Sequence, residues 1–307
     1  MPASLAIFTH PACLAHDPGV GHAECPHRLA VVLDALRAEF PAVPWQLAPE
    51  ALRSQLARVH HDALIAMVLD QAVHGHRRLD PDTVMSEGSA EAGLRAAGAA
   101  VAAVDAVMTG ELKRAFCAVR PPGHHATPDI AMGFCLFNSV AVAAAHALEA
   151  HGLQRVAIAD FDVHHGNGTQ DIFAADPRVL YLSSHQSPLY PGTGAADEHG
   201  VGNIHNVPLL PHAGSAAFRA AWSEILLPDI DAFRPQLLLV SAGFDAHRLD
   251  PLAQLDAEAD DFGWLTAQLC ALADRHAKGR LVSLLEGGYS MEALRSCSVA
   301  HVGALLG

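Results

Sequence analysis

Runs of consecutive apolar residues alternate along this chain with longer, alanine-rich stretches of helical period. "SLAIFT" is followed by "RLAVVLDALRAEF", and "RAFCAVR" by "NSVAVAAAHALEAHG". The alternation continues through "RVAIAD", "RVLYLSS", "FRAAWSEILLPDIDAF", "QLLLVSA", "DFGWLTAQLCALADRHA" and "RLVSLLEGG". Strands that are apolar throughout are buried on both faces. Separated by helices, they predict an α/β chain built on an open, mainly parallel sheet with helices on both faces. A further helix is predicted over "EAGLRAAGAAVAAVDAVMTG", closed by Gly110 at its C-terminal end. "HAECPHRL" places Pro26 in a first helical turn, with Glu24 just ahead, where the helix dipole favours an acid. No repeat, low-complexity tract or long linker divides the sequence, so a single domain over residues 1–307 is expected.

In open parallel sheets, ligands bind in the crevice at the carboxyl ends of the strands. Here "FCAV" leads into "RPPGHHA", "VAIA" into "DFDVHHGNGTQ" and "LYLS" into "SHQSPLYPGTG". "LLLVSA" leads into "GFDAHRLDP", and "VSLL" into "EGGYS". Each of these continuations combines Gly or Pro with His, Asp, Glu or Tyr. Five strand ends are therefore expected to converge on one polar site built from loops.

Charge narrows what such a site could serve. The formal net charge is −14, from 19 basic and 33 acidic residues, and no Lys/Arg block stands out, so direct nucleic-acid binding is not expected. An acidic surface biases the chain towards cationic ligands. No run of 18 apolar residues is free of charge or turn residues, so no membrane contact is expected, and "MPASLAIFTH" has neither the basic region nor the apolar core of a secretory signal. The six cysteines (Cys13, Cys25, Cys117, Cys135, Cys270 and Cys297) form no CxxC pair; they are expected to be reduced thiols of a cytoplasmic protein.

Asp162 and His164 stand two apart at a strand end, so along an extended segment both side chains point the same way. With Asp245 they would form a three-ligand O/N set, which suits a catalytic Zn²⁺ with open positions. A single DxH pair describes a solvated turn equally well; the strand-end context favours the metal. His124 and His125 would supply a base, with Asp160 and Asn167 as partners for their second ring nitrogens. Alone, the dipeptide also fits an exposed histidine-rich loop. Tyr289 could donate to a carbonyl oxygen or oxyanion, or could simply fill the core after "EGG". Phe134 and Tyr190, loop aromatics beside glycine, could wall a tunnel or merely cover the core. His165 alternates away from the DxH pair and is read as structural, and Cys135, in "GFCLF", as an inert buried thiol. No phosphate loop, dinucleotide fingerprint or serine nucleophile elbow is present.

"RPPGHHA", "MGFCLFN", "DFDVHHGNGTQDIF", "YPGTG", "SAGFDAHRLDP" and "LEGGY" occur in the order found in zinc-dependent histone deacetylases and their bacterial relatives. The chain resembles that family from "GHAECPHRL" onward, closest to its class II-type branch. The resemblance implies an arginase/deacetylase-like fold with a metal site at the C-terminal strand ends. It implies Asp162, His164 and Asp245 as zinc ligands (Fe²⁺ being an alternative ion), and His124 and His125 as the tandem histidines, with His125 the general base and acid. Asp160 and Asn167 would back the two histidines, and Tyr289 would polarise the acyl carbonyl. Gly133, Phe134 and Tyr190 would line an acyl-lysine tunnel. A K⁺ ion would sit near Asp160, Asp162, His164, Ser183 and Ser184.

The implied reaction is hydrolysis of an N-acyl-lysine amide in a peptide or protein. An acetylpolyamine or other small acylated amine is the alternative substrate; Leu252, where polyamine-specific relatives often carry an acid, favours lysine. An arginase-type ureohydrolase would need aspartates at DxD spacing, which "GFDAHRLDP" lacks, and a non-catalytic metal-dependent binder is the most distant reading. Two positions depart from the family pattern: Ala23 in "HAE", and Glu87 in "MSEGS", both expected to bear on substrate preference.

Overall fold

The computed structural model describes residues 3–307. Residues 1 and 2, part of the N-terminal stretch read above, lie outside them. The strands in chain order are β1 (Ala3–Thr9), β2 (Trp45–Leu47), β3 (His76–Arg78), β4 (Val84–Ser86), β5 (Leu112–Cys117), β6 (Val156–Asp160), β7 (Val179–Gln186), β8 (Ile204–Leu209), β9 (Leu237–Ala242) and β10 (Leu281–Leu285). Eight form one sheet in the order β2-β1-β5-β10-β9-β6-β7-β8, and every pairing in it is parallel. β3 and β4 form a separate antiparallel hairpin.

The apolar runs fall where expected, and their composition explains their position. β6, β7, β9 and β10 are buried at every residue, as strands covered on both faces must be. Helices Pro26–Glu39, Ala259–His276 and Met291–Leu306 form one packed group, and Ser89–Thr109 packs on Ser139–Glu149 in another; both groups rest on β1 and β5. Gly110 closes Ser89–Thr109 in the left-handed conformation at φ 81°. The Asn138 side chain caps Ser139–Glu149 by accepting from Ala141 N–H at 3.0 Å.

Several features differ from expectation. β2 and β8 have no counterpart among the apolar runs: each is an edge strand, short or of alternating burial. "FRAAWSEILLPDIDAF" is not one regular helix but Ser215–Ala220, a π-helical turn at Ala221–Leu226, and Leu227–Phe233. Pro228 has no N–H to donate, and Leu227 N–H reaches back to Trp222 O in the wider turn. Ser89–Thr109 is long and apolar enough to cross a membrane by composition, but 61% of its most apolar window is buried inside the fold, the pattern of a core helix. Glu24 is not a surface partner of a helix dipole. It is fully buried, pairs with Arg120, and lies 3.0 Å from Arg28 Nη1 and 3.2 Å from His16 Nε2. Burial works against its charge, yet the Arg120 guanidinium and His16 hold its carboxyl well below the usual range.

The five strands whose ends carry polar motifs, β5, β10, β9, β6 and β7, are adjacent in the centre of the sheet. Their parallel direction delivers all five loops to one edge.

Candidate metal centre and active site

β6 ends at Asp160 and the chain then turns tightly. Asp162 N–H donates to Asp160 Oδ1 at 3.2 Å, and His164 N–H donates to Asp162 Oδ1 at 2.9 Å. Asp245 enters from the end of neighbouring β9 and holds this turn by accepting from Val163 N–H at 2.9 Å. His164 Nδ1 then faces Asp162 Oδ1 at 3.1 Å and Asp245 Oδ2 at 3.2 Å, with all three side chains buried. Asp245 Oδ2 has no hydrogen-bond partner, although leaving a buried acceptor unpaired costs about 1–3 kcal/mol. A Cβ at Gly287 would overlap that same oxygen and lie 2.6 Å from Asp162 Oδ2, so the glycine keeps the space beside the two carboxylates open.

The electrostatics point the same way. Burial opposes a charge on His164, but the adjoining Asp162 and Asp245 carboxylates outweigh this and push its pKa up to about 10. Burial and the negative charge of Asp162 push the Asp245 carboxyl up. Two buried carboxylates share one imidazole, and the site is short of positive charge. An orphaned oxygen, a cleared space and two oxygens plus one nitrogen without sulfur fit a divalent cation such as Zn²⁺ or Fe²⁺.

A second cluster provides a contrast. Asp105 Oδ1 lies 2.7 Å from Nε2 of both His146 and His151. Arg58 Nη1 stands 2.8 Å from His146 Nδ1, and arginine can only donate. His146 therefore carries its proton on Nε2 and gives it to Asp105. This cluster is satisfied by its own hydrogen bonds and offers no free lone pair on His146.

The tandem histidines sit in the loop after β5, whose backbone is anchored by Glu286 at the end of β10. Glu286 Oε2 accepts from Gly123 N–H at 2.6 Å and from His124 N–H at 3.2 Å. His124 Nδ1 donates to Asp160 Oδ2 at 2.9 Å, and that oxygen also accepts from Tyr181 O–H at 3.0 Å. His125 Nδ1 lies 2.8 Å from Asn167 Oδ1. The Asn167 amide is oriented by its nitrogen, which reaches His125 O at 3.5 Å and Met132 Sδ at 3.4 Å, so its oxygen faces the ring and His125 Nδ1 donates. Nε2 of His125 is then an acceptor.

The two histidines titrate apart. Burial works against a charge on His124, but Asp160 and Asp162 outweigh it and hold its pKa well above the usual value. Burial, reinforced by His124 and His164, holds His125 well below it. The ring centroids are only 4.1 Å apart.

His125 and His164 open onto a cavity of about 220 Å³, lined also by Asp82, Gly133, Phe134, Leu189, Tyr190, Leu252 and Tyr289. That is below the range of about 300–1,000 Å³ for drug-sized pockets, so the cavity suits a slender chain. The Phe134 ring meets Tyr289 edge-on at 5.7 Å, and Tyr190 meets His125 at 5.2 Å. Phe134 holds φ 68°, uncommon for a side chain of its size, with its N–H on Thr83 Oγ1 at 3.0 Å. At Gly133 a Cβ would overlap the His125 ring. The Arg28 guanidinium lies over the Tyr289 ring, 4.7 Å from its centroid. Burial pushes the Tyr289 hydroxyl well above the usual pKa, against the Arg28 charge, so the phenol keeps its proton.

Of the residues read as a monovalent-cation set, Asp160 and Ser183 are register partners on β6 and β7. Ser183 Oγ lies 2.9 Å from His185 Nδ1, and Ser184 Oγ accepts from Trp222 Nε1–H at 2.9 Å. His165 stands apart from the metal cluster, bonded to Thr193 and Gln170 at 2.8 and 2.9 Å. Cys135 is buried, and burial pushes its thiol well above the usual pKa. Asp82 and Arg28 are not expected at the site from the sequence, and Glu286, expected only as one of the polar residues at a strand end, has no role assigned to it there. Glu286 and Asp82 carry weak signals, an acid ending an apolar strand and an acid in the turn "DPDT"; Arg28, inside a helix, carries none.

The histidine-rich loops and their order match known proteins. The model of the histone deacetylase domain matches residues 22–305. The chain is 42% identical over 295 residues to the histone deacetylase-like amidohydrolase of Pseudomonas aeruginosa, covering 94% of this chain and 77% of that protein. It is 39% identical over 302 residues to the polyamine deacetylase HDAC10 of Mus musculus, covering 92% of this chain and 45% of the relative. Among solved structures, the HD domain of HDA15 matches with a TM-score of 0.94 and 36% identity, over 99% of this chain and 88% of that one. The chain belongs to the histone deacetylase family, and its function is that of a deacetylase-type amidohydrolase.

Proposed function

We propose that the chain is a zinc-dependent deacylase that hydrolyses the amide of N-acylated lysine side chains. The observation that carries this reading is the opening of one narrow cavity onto His125, His164 and Tyr289, with the unpaired Asp245 Oδ2 beside them. Asp162, His164 and Asp245 would hold the zinc, which when bound supplies Lewis acidity to the acyl carbonyl and to water.

The chain's own residues supply the remainder. His125 is neutral at rest, and its donation to Asn167 leaves Nε2 free to take a proton from the attacking water. Tyr289 keeps its proton and donates a hydrogen bond to the oxygen on which negative charge develops. His124, held cationic by Asp160, adds a fixed positive charge beside the reacting centre. His125 then returns its proton to the departing amine, and the acid's remaining proton passes to that amine, so the products leave as a carboxylate and an ammonium. Phe134 and Tyr190 flank the methylene chain, with Gly133 admitting it past His125 and Leu252 at the rim. A K⁺ ion among Asp160, Asp162, His164, Ser183 and Ser184 would offset the buried carboxylates.

A second reading, a small acetylpolyamine as substrate, is favoured by one observation: the Asp82 carboxylate lies in the cavity wall, where it could receive a cation. Turnover of acetyl-lysine peptides beside acetylputrescine and acetylspermidine separates the two. Higher kcat/KM on peptides supports the lysine reading; strong preference for the polyamines overturns it.

A further inference from the structure

We propose that Asp250 is a positioning residue that clasps the Tyr289 loop to the loop carrying the third metal ligand, fixing the phenol for its role; this rests on the reading of Tyr289 as the oxyanion donor. Asp250 lies five positions after Asp245 in the loop beyond β9, 7% exposed. Its Oδ2 accepts from the Tyr289 backbone N–H at 2.7 Å, and its Oδ1 accepts from Leu252 N–H at 3.0 Å. Its own N–H donates to His247 O at 2.8 Å. One carboxylate thus ties together two residues that both line the cavity.

The need for such a clasp follows from the sequence before Tyr289. Gly287 must lack a side chain because of its approach to Asp245, and Gly288 adopts φ 117°, which side-chain-bearing residues rarely reach. Two successive glycines leave the segment leading to Tyr289 with wide backbone freedom. On its carbonyl side, Arg28 restrains this segment through Glu286 O at 2.6 Å and Gly288 O at 2.5 Å. On its amide side, Gly287 N–H donates to Asp162 Oδ2 at 2.8 Å, and beyond the two glycines Asp250 holds the Tyr289 N–H. No Lys, Arg or His side-chain nitrogen lies within 4.0 Å of an Asp250 carboxylate oxygen among the described residues. Burying an unpaired carboxylate is costly, and here two backbone N–H groups are what it binds.

The test is a double-mutant cycle with Asp250→Ala and Tyr289→Phe, read on kcat, KM, zinc content and affinity for a trifluoromethyl ketone analogue of acetyl-lysine. This analogue hydrates to a tetrahedral form, so its affinity reports the phenol contact even where turnover is slow. Asp250→Ala is expected to lower kcat about 10- to 100-fold with little change in KM or zinc content. In the Tyr289→Phe background the same change is expected to cost less than about twofold, in turnover and in analogue affinity. If Asp250→Ala fails to fold, Asp250→Asn takes its place, with one acceptor oxygen for two N–H donors, and the same non-additivity is expected. Additive losses would overturn the inference while leaving the role of Tyr289 intact. A Tyr289→Phe enzyme with wild-type kcat and analogue affinity would overturn that role, and the inference with it.

Discussion

His125 Nδ1 donates to Asn167 Oδ1 at 2.8 Å, whereas the adjacent His124 Nδ1 donates to the carboxylate of Asp160 at 2.9 Å. The anion behind His124 outweighs its burial, whereas burial beside His124 and His164 prevails at His125, whose Asn167 partner is neutral. His124 is held cationic and His125 neutral.

Asn167→Asp places an anion behind His125 and favours its imidazolium form. The direction follows from the requirement that the proposed base be neutral: a higher pKa leaves less neutral His125 at any given acidic pH. The acidic limb of kcat/KM against pH is therefore expected to move to higher pH. An unmoved limb, at constant zinc content, would assign it to another group.

Removing the proposed base is the sharper perturbation. His125→Ala is expected to lower kcat by about 10²–10⁴-fold while zinc is retained, because no His125 ring nitrogen lies within 4.0 Å of an Asp162 or Asp245 carboxylate oxygen. Steady-state kinetics alongside metal analysis measures both. Loss of zinc together with activity would show instead that the ring helps hold the metal.

Chelation isolates the stability that the proposed zinc ion contributes. The zinc-loaded form is expected to melt above the apoprotein, by about 2.7 kcal/mol of stability at a free zinc concentration 100 times Kd. Asp245→Asn removes one of two mutually repelling buried carboxylates, so its apo form should melt no lower than apo wild type and should gain nothing from zinc. Thermal melts with and without chelator read both effects; a large zinc-induced rise in the variant would exclude Asp245 as a ligand.

The satisfied cluster of Asp105, His146 and His151 yields the opposite expectation. Zinc titration should saturate at one equivalent per chain, and His151→Ala should leave stoichiometry and kcat unchanged. A second tight equivalent lost in that variant would show that Arg58 yields its place to a metal.

Much of this arrangement was legible because it is local. Continuous apolar runs marked β5, β6, β7, β9 and β10, and the polar residues just beyond each run are those that meet at one edge of the sheet. Pairings across the chain were not legible. Glu24 reads as an acid just ahead of a helix, yet its partners Arg120 and His16 come from other segments, brought near only by the fold. Arg28 belongs to an amphipathic helix in sequence and to the Tyr289 loop in space. Edge strands β2 and β8 lack a second covered face, and with it the continuous apolar run that marks the central strands.

That Asp162, His164 and Asp245 hold a zinc ion which this chain uses to hydrolyse acylated amines is tested most directly by titrating metal-free protein with Zn²⁺ while following turnover of an acetyl-lysine peptide. Activity is expected to rise in step with bound zinc to one equivalent, with none in Asp245→Ala at any zinc concentration. Turnover independent of zinc, or its absence with one equivalent bound across acetyl-lysine peptides and acetylpolyamines alike, would contradict it.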